Sequence, residues 1–142
     1  ATLPVMLLSA VLGWTTLSLG ASALSPNTVR PLALDIRDRL RPGDAVASFG
    51  TLFYDLPVYV GRNVLVVDSM AEFNFGATQE DIGRIAIGSD ELWRRWDGPE
   101  RIYMLVRPRT FDGWGDRPPR PVHLLGRTVR AVSITNRPPD PK

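Results

Sequence analysis

Cysteine is absent from all 142 residues, which removes disulfides, thiolate metal sites and cysteine nucleophiles from consideration. Histidine is nearly absent: His123 is the only imidazole. It falls in a strand-like run with no G-x-S-x-G elbow in the chain, so it reads as structural and not as the base of a Ser-His-Asp triad. With one His and no Cys, a metal site would have to be built from carboxylates alone, and no spacing of acids demands one. Glycine-rich phosphate loops are missing too, since Gly50 follows an apolar run but no G-x-G-x-x-G surrounds it. The acid pairs Asp112/Asp116 and Glu80/Asp81 read as loop and cap positions. No catalytic group, metal site or cofactor is therefore expected within this chain.

Lysine is the next scarcity. Of the 17 cationic side chains only Lys142 is a lysine, and arginine is the better residue for bidentate contact with phosphate or carboxylate. The net charge is only +2, and the arginines alternate with acids, as in Asp35, Arg37, Asp38 and Arg39. That pattern reads as a solvated helix face, not as the basic stripe interleaved with aromatics that nucleic acid requires. No nucleic-acid partner is expected, and a phosphate-binding surface would need arginines that cluster in space.

Charge of either sign is missing from Ala1 to Val29; the first ionic residue is Arg30. Leu3 to Leu24 is an uncharged stretch that, as a helix at about 1.5 Å per residue, spans roughly 33 Å, the thickness of a bilayer core. Its polar residues are only Ser, Thr and Gly, which membrane helices accept at packing faces. Residues 1–24 are therefore expected to be a transmembrane helix, and a start in mid-hydrophobe suggests the last span of a larger protein. A rival reading is a signal peptide cleaved at Ala21-Ser22-Ala23, which would release a free-standing periplasmic enzyme; the run is long for such a segment and no basic region precedes it.

Ser25-Pro26 ends the span. Val29, Leu32, Ala33, Ile36 and Leu40 then recur at helical spacing, with Pro31 at the start and Pro42-Gly43 as the stop. Three runs follow that are apolar on both faces, Ala45 to Phe49, Val64 to Val67 and Ile102 to Val106, as expected of parallel strands covered on both sides. Between them the sequence predicts a short helix within Thr51 to Arg62 ended by Pro57, a helix from Thr78 to Ala86, and one capped by Ser89 over "SDELWRRWDGP". "RPRTFDGWGDRPPRP" reads as a loop. Val122 to Leu125 and Val129 to Ile134 read as a hairpin around Gly126-Arg127-Thr128, the second strand alternating its faces.

The expected architecture is thus an α/β fold: one N-terminal transmembrane helix, then a small Rossmann-like domain over 25–136 with three mainly parallel strands and a C-terminal β-hairpin. Residues 137–142 read as a disordered tail. Within this domain the best substrate-proximal candidates are Tyr54, Tyr59 and Arg62, an aromatic and arginine group able to stack on a sugar or hold a phosphate. The competing reading packs Tyr59 under the sheet and pairs Arg62 with Asp55 or Asp68. Glu72 in "AEFNFG" is a further candidate, or a turn contact.

The segment Leu56 to Arg62 (Leu-Pro-x-Tyr-x-Gly-Arg), the turn Glu72-Phe73-x-Phe75-Gly76 and the closing Ser133-x-x-Asn136-Arg137-Pro138 together resemble the C-terminal end of ArnT-like glycosyltransferases. These are the aminoarabinose transferases related to protein O-mannosyltransferases, in glycosyltransferase family 39, and the resemblance covers nearly the whole chain. It implies a multi-span GT-C enzyme of the bacterial inner membrane that moves a sugar from a polyprenyl-phosphate donor to a lipid or protein acceptor on the periplasmic side. Its catalytic acid would lie in the first extracytoplasmic loop, outside this chain. This part would then be the last span and a domain capping the active site. Its partners would be the lipid bilayer, the upstream transmembrane domain and the polyprenyl-phosphate-linked sugar. Arg30, Arg37, Arg39 and Arg41 close to the span favour a cytoplasmic flank, but a long folded domain translocates largely regardless of charge. The alternative is a membrane-anchored extracytoplasmic binding or scaffold module.

Overall fold

Strands that are apolar on both faces need a helical layer on each side, and the described residues supply two helices for each. The computed structural model describes residues 28–69 and 85–141. The expected membrane helix over 1–24 and the Glu72 turn lie outside the described residues. Among those described, no helix is long and apolar enough to cross a membrane.

The first helix, α1 (Arg30–Arg39), starts where the sequence places it. Pro31 sits in the first turn, where its missing N–H costs nothing, and the Thr28 hydroxyl accepts from the Arg30 N–H at 3.1 Å. Strand β1 (Ala45–Phe49), helix α2 (Leu56–Val60) and strand β2 (Leu65–Val67) follow. After β3 (Ala86–Ile87) come helix α3 (Ser89–Trp96) and strand β4 (Ile102–Val106). Helix α4 (Pro108–Trp114) and strands β5 (His123–Arg127) and β6 (Val132–Thr135) complete the fold.

The six strands of the described residues form one sheet in the order β3-β2-β1-β4-β6-β5. β1 pairs in parallel with β2 and with β4, the latter in register from Ala45↔Ile102 to Phe49↔Val106. β2 pairs in parallel with β3. β6 runs antiparallel to both β4 and β5, with an irregularity between Leu124 and Gly126. One face carries Val46, Tyr103 and Leu105 beneath α1 and α2, where Leu32, Ala33, Ile36 and Leu56 are buried. The other carries Ala47, Ile102, Met104 and Val106 beneath α3 and α4, with Leu92 and Trp96.

Several expectations change. Pro57 opens α2 instead of ending it, since proline is tolerated in a first turn but not an interior one. Ser89 lies inside α3, whose N-cap is Gly88 with no side-chain cap. Its backbone N–H is satisfied instead by Asp68 Oδ1 at 3.0 Å, and Asp68 takes a left-handed φ of 54°. The expected loop after β4 contains α4, because Phe111 and Trp114 come three residues apart and meet ring to ring at 6.0 Å. Trp114 also packs edge-on against Phe49 at 5.7 Å. Among the described residues the parallel set has four strands, not three: Ala86 and Ile87 form an edge strand directly after the helical Ile85, and the rest of the helix expected from Thr78 to Ala86 lies outside the described residues. The hairpin turns later than expected, at 128–131. β6 is buried at every position, not alternating, because it lies between β4 and β5 and is covered on both faces.

The segment after β6 is tied down by Asn136. Its side chain accepts from the Ile102 N–H at 3.0 Å and donates to the carbonyls of Trp96 at 3.1 Å and Glu100 at 2.7 Å. Arg137 adds a bond to the Gly98 carbonyl at 3.0 Å, and Arg101 reaches the Pro138 carbonyl at 3.1 Å. The Ser-x-x-Asn-Arg-Pro pattern thus closes the α3–β4 turn. Asn136→Ala removes three hydrogen bonds and is expected to lower stability by about 2–3 kcal/mol. Urea unfolding of the full chain in detergent, followed by tryptophan fluorescence, measures it; a midpoint unchanged from wild type contradicts this role.

Candidate functional site

A chain that leaves a helix and turns sharply into a strand needs a residue at positive φ, and Gly61 supplies it at +65° as the C-cap of α2. This turn separates the sequence-predicted group. Tyr54, 70% exposed, precedes α2 beside the carboxyl end of β1. Tyr59 packs half-buried on the core of the first face. Arg62 lies beyond the other end of α2, where its Nη1 donates to the carbonyls of Arg41 at 3.2 Å and Asp44 at 3.1 Å. Neither expected carboxylate is its partner: Asp55 keeps a buried Oδ1 with no hydrogen-bond partner among the described residues, and Asp68 serves α3. The structure therefore does not bring Tyr54 and Arg62 together. Glu72 lies outside the described residues. His123 pairs with Thr135 at the outer strand, and among the described residues no group of His, Asp and Glu is able to hold a metal.

What the topology does assemble is a crevice at the carboxyl edge of the sheet. β1 and β4 are neighbours, but β1 leads to α2 on one face and β4 to α4 on the other. In open α/β sheets ligands bind at such a switch point. A cavity of about 370 Å³ lies there, lined by Thr51, Phe53, Arg107, Arg109, Val129 and Arg130 among others. Each wall is fixed locally. The Ser48 hydroxyl donates to the Thr51 carbonyl, and Gly50, at φ +67°, donates its N–H to the Val67 carbonyl at 2.9 Å. Arg107 is the N-cap of α4, and its carbonyl accepts from the N–H groups of Thr110 and Phe111 at 3.0 Å each. The 128–131 turn is held by the Thr128 hydroxyl, which accepts from the Arg130 N–H at 3.3 Å and the Ala131 N–H at 3.2 Å.

Two of these walls are joined by charge. Arg127 at the end of β5 grips Asp112 of α4 with two parallel bonds of 2.7 and 2.8 Å. The hydrogen bond from Arg127 holds the Asp112 carboxyl below its ordinary value near 3.8, and the Arg127 guanidinium is raised in turn. Across the crevice floor, Arg107 Nη2 donates to the buried Thr51 Oγ1 at 2.8 Å. Among the described residues no carboxylate lines this cavity.

Thr51, Arg107, Arg109 and Arg130 do not stand out in the sequence, because Arg-Pro-Arg lies in a stretch with the composition of a loop and Arg130 in one with the pattern of a strand. The available signal was Arg107 and Arg109 flanking a proline directly after a buried strand, with no acid before Asp112.

A second cavity, of about 260 Å³, lies at the opposite edge, lined by Asp38, Arg39, Arg41, Tyr103 and Asp140. There the charges cancel locally, as in the Arg41–Asp140 pair at 2.7 Å. Burial raises the Tyr103 phenol above its ordinary value, so it stays a neutral donor, 3.5 Å from the Arg39 carbonyl.

Comparison with known proteins follows the same outline. The profile of the aminoarabinose transferase C-terminal domain matches residues 32–136. No curated protein sequence matches the chain. Two crystal structures of ArnT from Cupriavidus metallidurans share the fold. One, in the apo state, has a TM-score of 0.64 at 23% identity, over 78% of this chain and 20% of that one. The other, bound to undecaprenyl phosphate, has a TM-score of 0.67 at 23% identity, over 82% and 21%. The chain spans about a fifth of the length of these proteins.

Two outcomes follow from the geometry. Arg62→Ala leaves two backbone carbonyls without their donor and is expected to destabilise the domain by about 1–2 kcal/mol, read as a lower melting temperature of the full chain; an unchanged melting temperature would free Arg62 for another role. Asp112 has a folded pKa below its unfolded one, so its contribution is present above the unfolded value and lost as pH falls through the folded value. A carbon-detected NMR titration should find Asp112 titrating below 3.8, with Arg127→Gln returning it to the ordinary range.

Proposed function

The chain belongs to the aminoarabinose transferase C-terminal domain family, and on that premise we propose that it is the C-terminal part of an integral-membrane GT-C glycosyltransferase. The full enzyme transfers a sugar from a polyprenyl-phosphate donor to a lipid or protein acceptor. This part contributes the last transmembrane helix, over 1–24, and an extracytoplasmic domain that caps the active site without a catalytic group of its own. Undecaprenyl phosphate bound to the ArnT of similar fold supports a lipid-linked donor.

The observation that carries this reading is the direction of α1. Its last residue, Arg39, lies by Tyr103 at the amino end of β4, whereas Leu32 lies against Gly126, which pairs through Ser133 with Leu105 near the carboxyl end of β4. The helix therefore begins at the carboxyl edge of the sheet. The uncharged segment that precedes Thr28 joins the domain at that edge, the same edge that carries the switch-point crevice. A span entering there turns the crevice towards the membrane and the opposite edge away from it.

The absence of cysteine makes sidedness directly measurable. Asp116, exposed between α4 and β5, is replaced by cysteine in the full-length protein, with any upstream cysteines replaced by serine. A membrane-impermeant maleimide is expected to label Asp116→Cys in intact spheroplasts as fully as in lysed ones. Labelling only after lysis would place the domain in the cytoplasm and defeat the proposal.

A further inference from the structure

We infer that the carboxyl edge of the sheet is a lipid-docking surface. The 51–54 loop and the 128–131 turn seat in the headgroup layer of the bilayer, with Tyr54 and Val129 as the inserted side chains. The inference deepens the preceding reading and rests on it for the span that tethers this edge.

Among the described residues four large apolar side chains are mostly exposed: Tyr54, Val58, Leu124 and Val129. Scattered singly, such residues need no explanation. Tyr54 and Val129, however, belong to the two segments that flank the switch-point crevice, and the half-buried Leu52 lines that crevice together with Val129. Three apolar side chains thus collect at one edge. The backbone of neither segment depends on them: the turn is held by the Thr128 hydroxyl, and the loop by the bond from the Ser48 hydroxyl to the Thr51 carbonyl.

The tether decides what covers them. Leu32 of α1 packs against Gly126 near the end of β5, and Val29, one turn earlier, is buried in the same core as Ala131, so α1 starts beside the 128–131 turn. Four peptide units separate Leu24, the expected end of the span, from Thr28, and fully extended they reach at most about 14 Å. The headgroup layer is itself roughly 5–8 Å deep on each side of the hydrocarbon core. An edge on so short a tether lies at the bilayer surface. The side-chain chemistry agrees, since tyrosine suits the boundary between apolar and wet. The charged side chains lining the crevice beside these segments are Arg107, Arg109 and Arg130, and an exposed arginine can lay its stem on lipid and its fork on a phosphate. The acids next to these segments in sequence are occupied or turned inward: Asp112 is gripped by Arg127, and Asp55 keeps Oδ1 buried. The arginines are accessory; the apolar tips and the short tether carry the inference.

The test places single fluorescent labels in the full-length protein, any upstream cysteines being replaced by serine, in phosphatidylcholine nanodiscs. The labelled variants are Tyr54→Cys, Val129→Cys, Asp38→Cys as an exposed reference in the last turn of α1 at the opposite edge, and Ser9→Cys within the expected span. Iodide quenches from the water, and lipids carrying a nitroxide in the headgroup or along the acyl chain quench from the bilayer. Labels at 54 and 129 are expected to be quenched by the headgroup nitroxide and shielded from iodide about threefold or more relative to the label at 38, as interfacial burial requires. The label at 9 should respond to the acyl-chain nitroxide. If that label does so while those at 54 and 129 are as open to iodide as the one at 38, the span stands and the docking surface is overturned. Shielding from iodide without nitroxide quenching shows that a protein surface, the upstream domain or a second copy, covers the tips, and also overturns the inference. Iodide reaching the label at 9 removes the span, and with it the tether on which the docking depends.

Discussion

The parallel pairing of β1 with β4 is the constraint from which the rest of the domain follows. Their register, from Ala45↔Ile102 to Phe49↔Val106, aligns the carboxyl ends of two strands whose connections depart to opposite faces. Two consequences are forced. The sheet must be covered on both sides, which is why Ile102 to Val106 are buried without alternation. The chain must also part above the β1–β4 junction, and among the described residues no backbone fills the gap. The crevice is thus a product of topology, and the arginines are what the sequence has placed around it.

The two edges of the sheet have been given different electrostatic character by one residue type. At the amino edge, Arg41, Arg62 and Arg101 meet carboxylates and carbonyls of the turns they close, so arginine there acts as a structural crosslink. At the carboxyl edge, Arg107 and Arg109 meet at most a hydroxyl. A net charge of +2 does not reveal this division. The Arg127–Asp112 pair stands at the boundary. It fixes the α4 wall to the β5–β6 turn.

The architecture was legible where physics is local. Buried strands betray themselves as runs without period, and Ala45 to Phe49 and Ile102 to Val106 were found to the residue. α1 was visible from its apolar stripe and its proline. Legibility failed where a long-range partner decided the outcome. Nothing near Ser89 in sequence says that Asp68 will cap α3. Phe111 and Trp114 become helical because an aromatic cluster from β1 and α3 awaits them, in a stretch where Pro and Gly argue for a loop. Arg62 was recognised as notable, but its acceptors are backbone carbonyls 18 and 21 positions away, which no pattern of side chains reveals. The crevice residues were missed for the same reason: Thr51, Arg107 and Arg130 are brought together by strand order alone.

The position of β6 bears on how the domain is made. It is the last strand in sequence, yet it lies inside the sheet, buried on both faces between β4 and β5. Until Val132 to Thr135 have been synthesised, β4 presents an open edge lined by Ile102 to Val106, with both hydrophobic cores incomplete. Unpaired apolar edges of this kind are what chaperones bind and what aggregates. The domain therefore cannot condense progressively as the chain emerges. Its closure by β6 also seats Asn136 in the α3–β4 turn, so the finished fold requires the chain through at least Asn136.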